Sequence, residues 1–211
     1  MDSDQLCYEL FGSDDDDDLK FLDPPSPAYE VEEPVPGLVV CRKVFCTEIC
    51  RQYFAWLNQE YFPTSNGVNQ GMHFGRIDAA TPLGRLCQVS QGLYSCVEEL
   101  DQAIINLYER GEGIGDHVDL LRFDDGIVGF SFGGTAVMRM RRVRDRSAAT
   151  YAKELETEDA SEVRVELEAG DVYLLSGEAR YRWTHGIPKK IDGEDNIKSK
   201  RISVTLRKLS V

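Results

Sequence analysis

Two histidines and one aspartate have a spacing that could bind a metal ion. His117 and Asp119 form a His-x-Asp pair, and His185 follows in the sequence Arg-Trp-Thr-His-Gly. Side chains two residues apart on an extended strand point to the same face of a sheet, so the first two can reach one ion. The chain between them and His185 is long enough for several strands to return to the same place. These three residues form a candidate triad of two histidines and one carboxylate.

The triad narrows the choice of metal without fixing it. Three protein ligands on one face leave about three positions of a ferrous ion open, enough for a bidentate cosubstrate and dioxygen. Zinc hydrolases also combine two histidines with a carboxylate and bind water in the fourth position. Iron and zinc therefore stay open on these residues alone, as does a purely structural role for both histidines.

A later segment alternates strictly between polar and apolar side chains, reading Arg-Ile-Ser-Val-Thr-Leu-Arg from Arg201 to Arg207. One face of such a strand carries Arg201, Ser203, Thr205 and Arg207, and the other can pack in a core. An arginine fork binds a carboxylate through two parallel hydrogen bonds. A dicarboxylate such as 2-oxoglutarate would fit, with its keto-acid end on the metal and its far carboxylate on an arginine. The alternative is a solvated edge strand.

The elements that must position these residues are mainly strands. Thr47 is a candidate N-cap for a helix that ends near Asn58, and Val97–Asn106 is predicted as another helix that leads into a strand over Ala103–Tyr108. Short strands between glycine-containing turns are predicted at residues 37–40, 127–132, 135–141, 163–167, 172–175 and 202–206. Helices followed by strands favour a mainly β fold with supporting helices (α+β), built on a double-sheet jelly roll.

The first 36 residues differ in composition from the rest. They hold 12 acidic residues and one base, Lys20, whereas the net charge of the whole chain is −13. We expect residues 1–36 to form a disordered acidic tail, because the acids repel one another and the prolines break regular structure. Residues 37–211 are expected to form one catalytic domain. The six cysteines include no CxxC pair, and no apolar run is long enough to cross a membrane. We expect a monomer of the nucleus or cytoplasm.

Several motifs, all in the same order, resemble the AlkB family of iron(II)- and 2-oxoglutarate-dependent dioxygenases. The resemblance covers roughly residues 69–208 and is most specific around His185 and in the spacing of the last two arginines. Its motifs are Asn106-Leu107-Tyr108, His117-Val118-Asp119, Gly170-Asp171-Val172, Gly177 through Ile187, and Arg201 through Arg207. The resemblance implies a double-stranded β-helix (jelly-roll) core with Fe(II), 2-oxoglutarate and O2. It also implies formation of succinate and carbon dioxide, and hydroxylation of a carbon, commonly an N-methyl group that leaves as formaldehyde.

The resemblance also implies roles for individual residues. The metal would be held by His117, Asp119 and His185. The 2-oxoglutarate site would be made of Asn106, Tyr108, Arg201, Ser203 and Arg207. Residues 69–75 look like the family's nucleotide-recognition lid, in which Met72, His73 and Phe74 could contact a base. This chain departs from the pattern at Leu121, where the bacterial founder has an acidic residue associated with base selection, and this argues against direct repair of simple alkylated DNA bases.

Two classes of substrate are compatible with the sequence. A group of arginines at the end of one predicted strand, together with Arg182 beside the metal histidine, could neutralise phosphates. The members of this group are Arg139, Arg141, Arg142, Arg144 and Arg146. They favour a nucleic acid base as substrate, in RNA more than in DNA. The alternative is a basic protein such as a histone, bound by the acidic tail through aromatic residues between its carboxylates.

Overall fold

The computed structural model of the chain describes residues 29–63, 67–97, 99–143 and 162–210, and within these ranges it is mostly β with few helices. Its strands form two large antiparallel sheets and a short hairpin. The larger sheet contains, in spatial order, β1 (Val31–Val35), β2 (Leu38–Cys41), β9 (Val172–Leu175), β6 (Ile127–Gly133), β13 (Arg201–Arg207), β4 (Gln102–Tyr108) and β3 (Gln70–Phe74). The smaller sheet contains β5 (Ile114–His117), β10 (Trp183–Ile187), β7 (Ala136–Arg142) and β8 (Val163–Leu167). The hairpin pairs β11 (Lys190–Ile191) with β12 (Glu194–Asp195).

Three helices accompany the sheets in the described residues. They are α1 (Thr47–Tyr61), α2 (Pro82–Leu93) and the short α3 (Gly177–Tyr181). Tyr53 and Leu57 of α1 and Leu86 of α2 are buried in one apolar core with Val204 of β13. Each such side chain contributes about 1.5–3 kcal/mol when it is fully buried. Because α1 and α2 cover this face of the larger sheet, its polar face is turned toward the smaller sheet. None of the described helices is both long enough and apolar enough to span a membrane.

The alternation predicted for the arginine strand is confirmed and governs the rest of the site. β13 pairs with β4 on one side and β6 on the other along almost its whole length. Ile202, Val204 and Leu206 lie in the core beneath the helices, so the polar residues face the space between the two sheets. The alternative of a solvated edge strand is excluded, because β13 lies inside the sheet and every one of its residues is buried.

The helix predicted at Val97–Asn106 is wrong, since β4 already begins at Gln102 and the described residues just before it are not helical. The second helix lies earlier, at Pro82–Leu93, where the sequence analysis missed it. Thr81 caps this helix by accepting a hydrogen bond from the backbone N–H of Gly84 at 3.1 Å, and Pro82 suits the first helical turn. The apolar residues near position 100 are instead buried just before β4, which begins to pair with β13 at Gln102.

The boundary predicted for the acidic tail is also corrected. Residues 1–28 of the predicted tail lie outside the described residues, but Val31–Val35 forms β1 and pairs with β2. Gly37, with φ of +86°, sits in the turn that joins these two strands. Pro34 is tolerated because β1 is the edge strand of its sheet, where a missing backbone N–H need not break a ladder. The folded part of the chain therefore begins before residue 37.

Candidate functional site

The structure brings His117, Asp119 and His185 together. β5 and β10 are antiparallel neighbours, and their register places His117 directly opposite His185. The two imidazole centroids are 4.4 Å apart, and Asp119 lies two residues beyond the end of β5. Ligand atoms from all three side chains lie within 4.8 Å of one another. The triad is thus formed by two adjacent strands of the smaller sheet and the loop that follows one of them.

The donor atoms of the triad suit a metal ion. His117 Nδ1 is 2.9 Å from the carbonyl oxygen of Gly115, which can only accept, so this nitrogen carries the proton and Nε2 presents its lone pair. Asp119 Oδ2 is buried and receives no hydrogen bond from the described part of the chain, although His185 Nε2 is 3.4 Å away. Burial, with His117 beside it, lowers the pKa of His185 to about 3. A neutral imidazole and an unpaired carboxylate oxygen are what a divalent ion requires.

The other oxygen of the metal carboxylate is held by the arginine strand. Arg207 Nη2 lies 2.6 Å from Asp119 Oδ1. Burial alone would raise the pKa of Asp119, but the neighbouring His185 and Arg207 bring it below its usual value. Asp119 therefore stays ionised, and Arg207 fixes its orientation as well as lining the pocket.

Arg180 of α3 supports the same loop, a role that the sequence analysis missed. Its guanidinium is buried and donates to the carbonyl oxygens of Asp119 at 2.9 Å, Leu120 at 2.7 Å and Phe123 at 3.1 Å. Hydrogen bonds from a charged donor are stronger than neutral ones, so Arg180 holds the backbone on which the metal carboxylate is mounted. Arg180 lies inside the motif around His185, and this position could have indicated a role in the site. The contact itself was not predictable from a local pattern, because the carbonyl groups are some 60 residues away in the sequence.

A cavity of about 350 Å³ extends from the triad between the two sheets. Its walls include all five residues predicted to bind 2-oxoglutarate, namely Asn106, Tyr108, Arg201, Ser203 and Arg207. β4 and β13 bring them together, since Tyr108 pairs with Arg201 and Asn106 with Ser203. The amide of Gln70 on β3 donates to Asn106 Oδ1 at 2.7 Å, which turns the Asn106 amide nitrogen to other acceptors.

Arg201 is the residue of this cavity whose surroundings best fit a bound anion. It is 2% exposed, and its Nε donates to Ser131 Oγ at 3.2 Å. Its guanidinium carbon lies 5.5 Å from the centre of the Tyr108 ring. Burial lowers the pKa of Arg201, and no carboxylate of the described residues forms an ion pair with it. A buried unpaired charge is costly, so the far carboxylate of a dicarboxylic acid fits here.

The residues predicted for the substrate divide between the two faces of β3. Met72 and Phe74 are about half exposed, at 51% and 55%, and share the face of Gln70, which lines the cavity. His73 alternates to the opposite face, where its Nε2 lies 3.3 Å from the carbonyl oxygen of Arg76. His73 and Phe74 therefore point to opposite faces of β3, and contact of His73 with a base stays a prediction.

The predicted basic patch is largely neutralised by acidic neighbours. Arg139 Nη2 lies 2.8 Å from Asp116, and Arg141 Nη2 lies 2.7 Å from Glu162. Arg142 and Arg182 are exposed at the adjoining ends of β7 and β10. Arg144 and Arg146 lie outside the described residues. Phosphate binding by Arg141 stays a prediction, and a phosphate there would compete with the carboxylate of Glu162.

Comparison with known proteins agrees with this geometry. Residues 76–207 match the 2OG-Fe(II) oxygenase superfamily. The chain is 36% identical over 119 residues to the Arabidopsis thaliana protein named "Alkylated DNA repair protein ALKBH8 homolog". This alignment covers 52% of this chain and 34% of that protein. It is 37% identical over 120 residues to the Xenopus tropicalis "tRNA (carboxymethyluridine(34)-5-O)-methyltransferase alkbh8", which covers 56% of this chain and 16% of that protein.

The fold is also found among solved structures. That of OsALKBH1 superimposes with a TM-score of 0.59 at 17% identity, covering 85% of this chain and 100% of that one. The chain spans only a minor part of the two curated relatives, so their complete activities are not carried over. The matched range contains the triad, the cosubstrate residues and the arginine strand. The chain therefore belongs to the 2OG-Fe(II) oxygenase superfamily and is an AlkB-like dioxygenase that uses Fe(II) and 2-oxoglutarate.

Proposed function

We propose that this enzyme oxidises a substituent on a nucleic acid base, commonly an N-methyl group, and that RNA is preferred to DNA. In this proposal the core is a double-stranded β-helix with His117, Asp119 and His185 as iron ligands. The bound iron and 2-oxoglutarate supply the oxidant, with release of succinate and carbon dioxide. Arg201 receives the far carboxylate, and Arg207 and Arg180 keep the metal carboxylate and its loop in place. The cavity walls exclude bulk water from the reacting centre.

The observation that carries this proposal is the apolar rim of the cavity. We define this rim as four exposed apolar side chains on elements that border the cavity: Met72 and Phe74 on β3, whose Gln70 lines the cavity, and Leu120 and Leu121 after the metal aspartate. Leu120 itself lines the cavity. A flat base can stack on the ring of Phe74, and stacking of a base on an aromatic side chain contributes about 1–3 kcal/mol. The relative named for tRNA modification supports RNA as the polymer.

The rim can be tested with a matched pair of substitutions on β3. F74A removes the ring on the cavity side, whereas H73A alters the neighbouring side chain on the opposite face. We expect F74A to raise KM for methylated RNA oligonucleotides by about 5- to 150-fold, because a stack is lost, and H73A to change it by less than about threefold. Formaldehyde release measures turnover, and H117A serves as the inactive control.

The same experiment can contradict the proposal in two ways. An unchanged KM in F74A would show that the rim does not receive a base. Succinate formation with neither formaldehyde release nor an oxidised base detectable by mass spectrometry in any methylated RNA or DNA would leave the enzyme class intact and remove the nucleic acid substrate. The slow formation of succinate in the absence of RNA or DNA should be the same in F74A and H73A, because neither residue contacts the arginines of the 2-oxoglutarate pocket.

A basic protein such as a histone remains the second candidate substrate or partner. It is favoured by the ion pairs of Arg139 and Arg141, which lower the positive potential beside the site, and by the 12 acids of residues 1–36. If this candidate is correct, deletion of residues 1–28 weakens histone binding and leaves RNA turnover unchanged. Equal histone affinity with and without these residues would count against it.

A further inference from the structure

A second cavity lies where the beginning of α1 meets the loop between β8 and β9. Its volume is about 700 Å³, and none of the described residues that line it also lines the cavity of the metal triad. Phe45, Phe54 and Ala169 form the apolar part of its wall and pack against the core. Phe54 lies over Gly133, where an added Cβ would come 2.7 Å from the ring. We call this cavity, an aromatic groove on the helical side of the larger sheet, the α1 groove.

The chain enters the α1 groove at its first described residue. Tyr29 lines the groove and packs against the same core as Phe45. The backbone N–H of Arg42 donates to the carbonyl oxygen of Glu30 at 2.8 Å. Pairing between β1 and β2 therefore continues beyond Val31 and holds the backbone next to Tyr29. The residues that come immediately before Tyr29 in the chain must start at this groove.

The eight residues before Tyr29 have the composition of a segment that binds an aromatic groove. They read Phe-Leu-Asp-Pro-Pro-Ser-Pro-Ala from Phe21 to Ala28. Proline-rich segments dock on grooves lined by aromatic side chains, because their backbone is already restricted before binding. Phe21 and Leu22 add two apolar side chains that can be buried. At about 3.1 Å per residue, an extended segment of this length reaches about 25 Å, enough to follow a cavity of this volume.

The charges at the α1 groove favour this acidic segment over other occupants. Among the described residues, its lining contains two bases, Lys43 and Arg51, and one acid, Glu168. Lys43 is exposed and has no carboxylate of the described residues within ion-pair distance, whereas Arg51 pairs with Glu48 at 3.2 Å. Asp23 would bring a carboxylate to Lys43. A second copy of the chain is less favoured, because each copy carries a net charge of −13 and a tethered segment has a high effective concentration.

We infer that residues 21–28 bind back into the α1 groove of their own chain. Phe21 and Leu22 then pack against Phe45 and Phe54, and Asp23 lies beside Lys43. The acidic segment is thereby held on the face of the larger sheet that is turned away from the metal triad. This inference is independent of the substrate proposed above, since the groove and the cosubstrate cavity share no described lining residue.

The rate at which Cys46 is alkylated reports on the groove, because this cysteine is exposed and lines it. Cys96 is also exposed but does not line the groove, so it serves as an internal reference. Iodoacetamide is added to the full chain, and peptide mass spectrometry follows both cysteines. F21S/L22S removes the two apolar anchors. Its matched control is L10S/F11S, which replaces an equivalent pair in the same acidic segment and leaves the charge unaltered.

We expect F21S/L22S to accelerate alkylation of Cys46 roughly 5- to 50-fold, because the groove loses the burial of two apolar side chains. The control L10S/F11S should leave the rate near that of wild type, and Cys96 should react equally in all three proteins. An equal rate at Cys46 in wild type and F21S/L22S would overturn the inference. Acceleration by L10S/F11S would also overturn it, as would protection that grows with protein concentration, which would assign the groove to a second copy.

A zero-length carbodiimide crosslink tests the position of Asp23 separately. In the wild-type chain we expect a crosslink between Lys43 and Asp23, and we expect F21S/L22S to lose it. Lys190, which is exposed on the short hairpin, should form no crosslink to residues 14–23 in either protein. Crosslinks to that segment in equal amounts at Lys43 and Lys190 would show that it has no fixed position and would contradict docking in the groove.

Discussion

Replacing Gly186 by alanine should weaken the metal site by pushing apart the two strands that carry its histidines. Gly186 follows His185 on β10, and its missing side chain leaves room for Asp116, the residue before His117 on β5. An added Cβ would meet Asp116 Oδ1 at 2.5 Å and the Asp116 backbone nitrogen and Cα at 2.9 Å. The carboxylate cannot simply swing away, because Arg139 holds it through Nε at 3.1 Å and Nη2 at 2.8 Å.

The size of the effect follows from these distances. Ordinary Cβ contacts begin at 3.4 Å, so the backbone of β5 must retreat from β10 by about 0.5 Å, the difference between 3.4 and 2.9 Å. Metal–ligand distances tolerate only about 0.2 Å, and the displaced backbone carries His117 with it. Overpacking of this kind costs about 1–3 kcal/mol, which corresponds to a rise in the Kd for the metal of roughly 5- to 150-fold.

Calorimetric titration with Mn(II) measures this change, and G115A is the matched control. Gly115 lies on β5 two residues before His117, and a Cβ there meets nothing within 4 Å. We expect G115A to bind Mn(II) within about threefold of wild type, since no atom has to move. Wild-type affinity in G186A would refute the reasoning, because it would show that the spacing of β5 and β10 does not set the spacing of the two histidines.

Two further predictions concern charge. Without cosubstrate, R201M should match or exceed wild type in melting temperature, because a buried cation without a counter-ion in the described residues is removed. The variant should lose the stabilisation given by 2-oxoglutarate, whereas R51M, at an exposed arginine, should keep it. A wild-type response of R201M to 2-oxoglutarate would contradict the role of Arg201. The pKa of His185 falls from 6.5 to about 3 on folding, so the unfolded chain binds the proton more readily. The free energy of unfolding of the metal-free protein should therefore decrease as pH falls from about 6.5 toward 3, by up to about 1.4 kcal/mol per pH unit. Urea unfolding at several pH values checks this, and an equal slope in H185Q would exclude His185 as its source.

Much of the site was predictable because its residues follow short periods. The alternation in β13 identified the buried polar face, and the His-x-Asp spacing identified two ligands on one side of a strand. No comparable local pattern pointed to the role of Arg180, because that role depends on carbonyl groups of a distant loop that the fold brings next to it. The single-residue alternation of β3 did carry the information that separates His73 from Phe74.

The errors in the fold have equally physical causes. Residues 97–101 have the apolar content of a helix, but pairing of β4 with β13 decides the structure of the segment that follows. Pro82 marked the beginning of α2 in a segment of mixed composition. The distribution of charged residues identified the acidic segment. It could not show that Val31–Val35 pairs with β2, because that contact depends on a turn at Gly37.

The position of β13 also bears on how the protein is made. Every other described strand of the larger sheet precedes it in the chain, yet it occupies the seam between β6 and β4. While the chain is still emerging from the ribosome, the two halves of that sheet have no common neighbour. Residues 201–207 then join them, and the same seven residues deliver both arginines of the site. The larger sheet should therefore become continuous in the same step that supplies both arginines of the 2-oxoglutarate site.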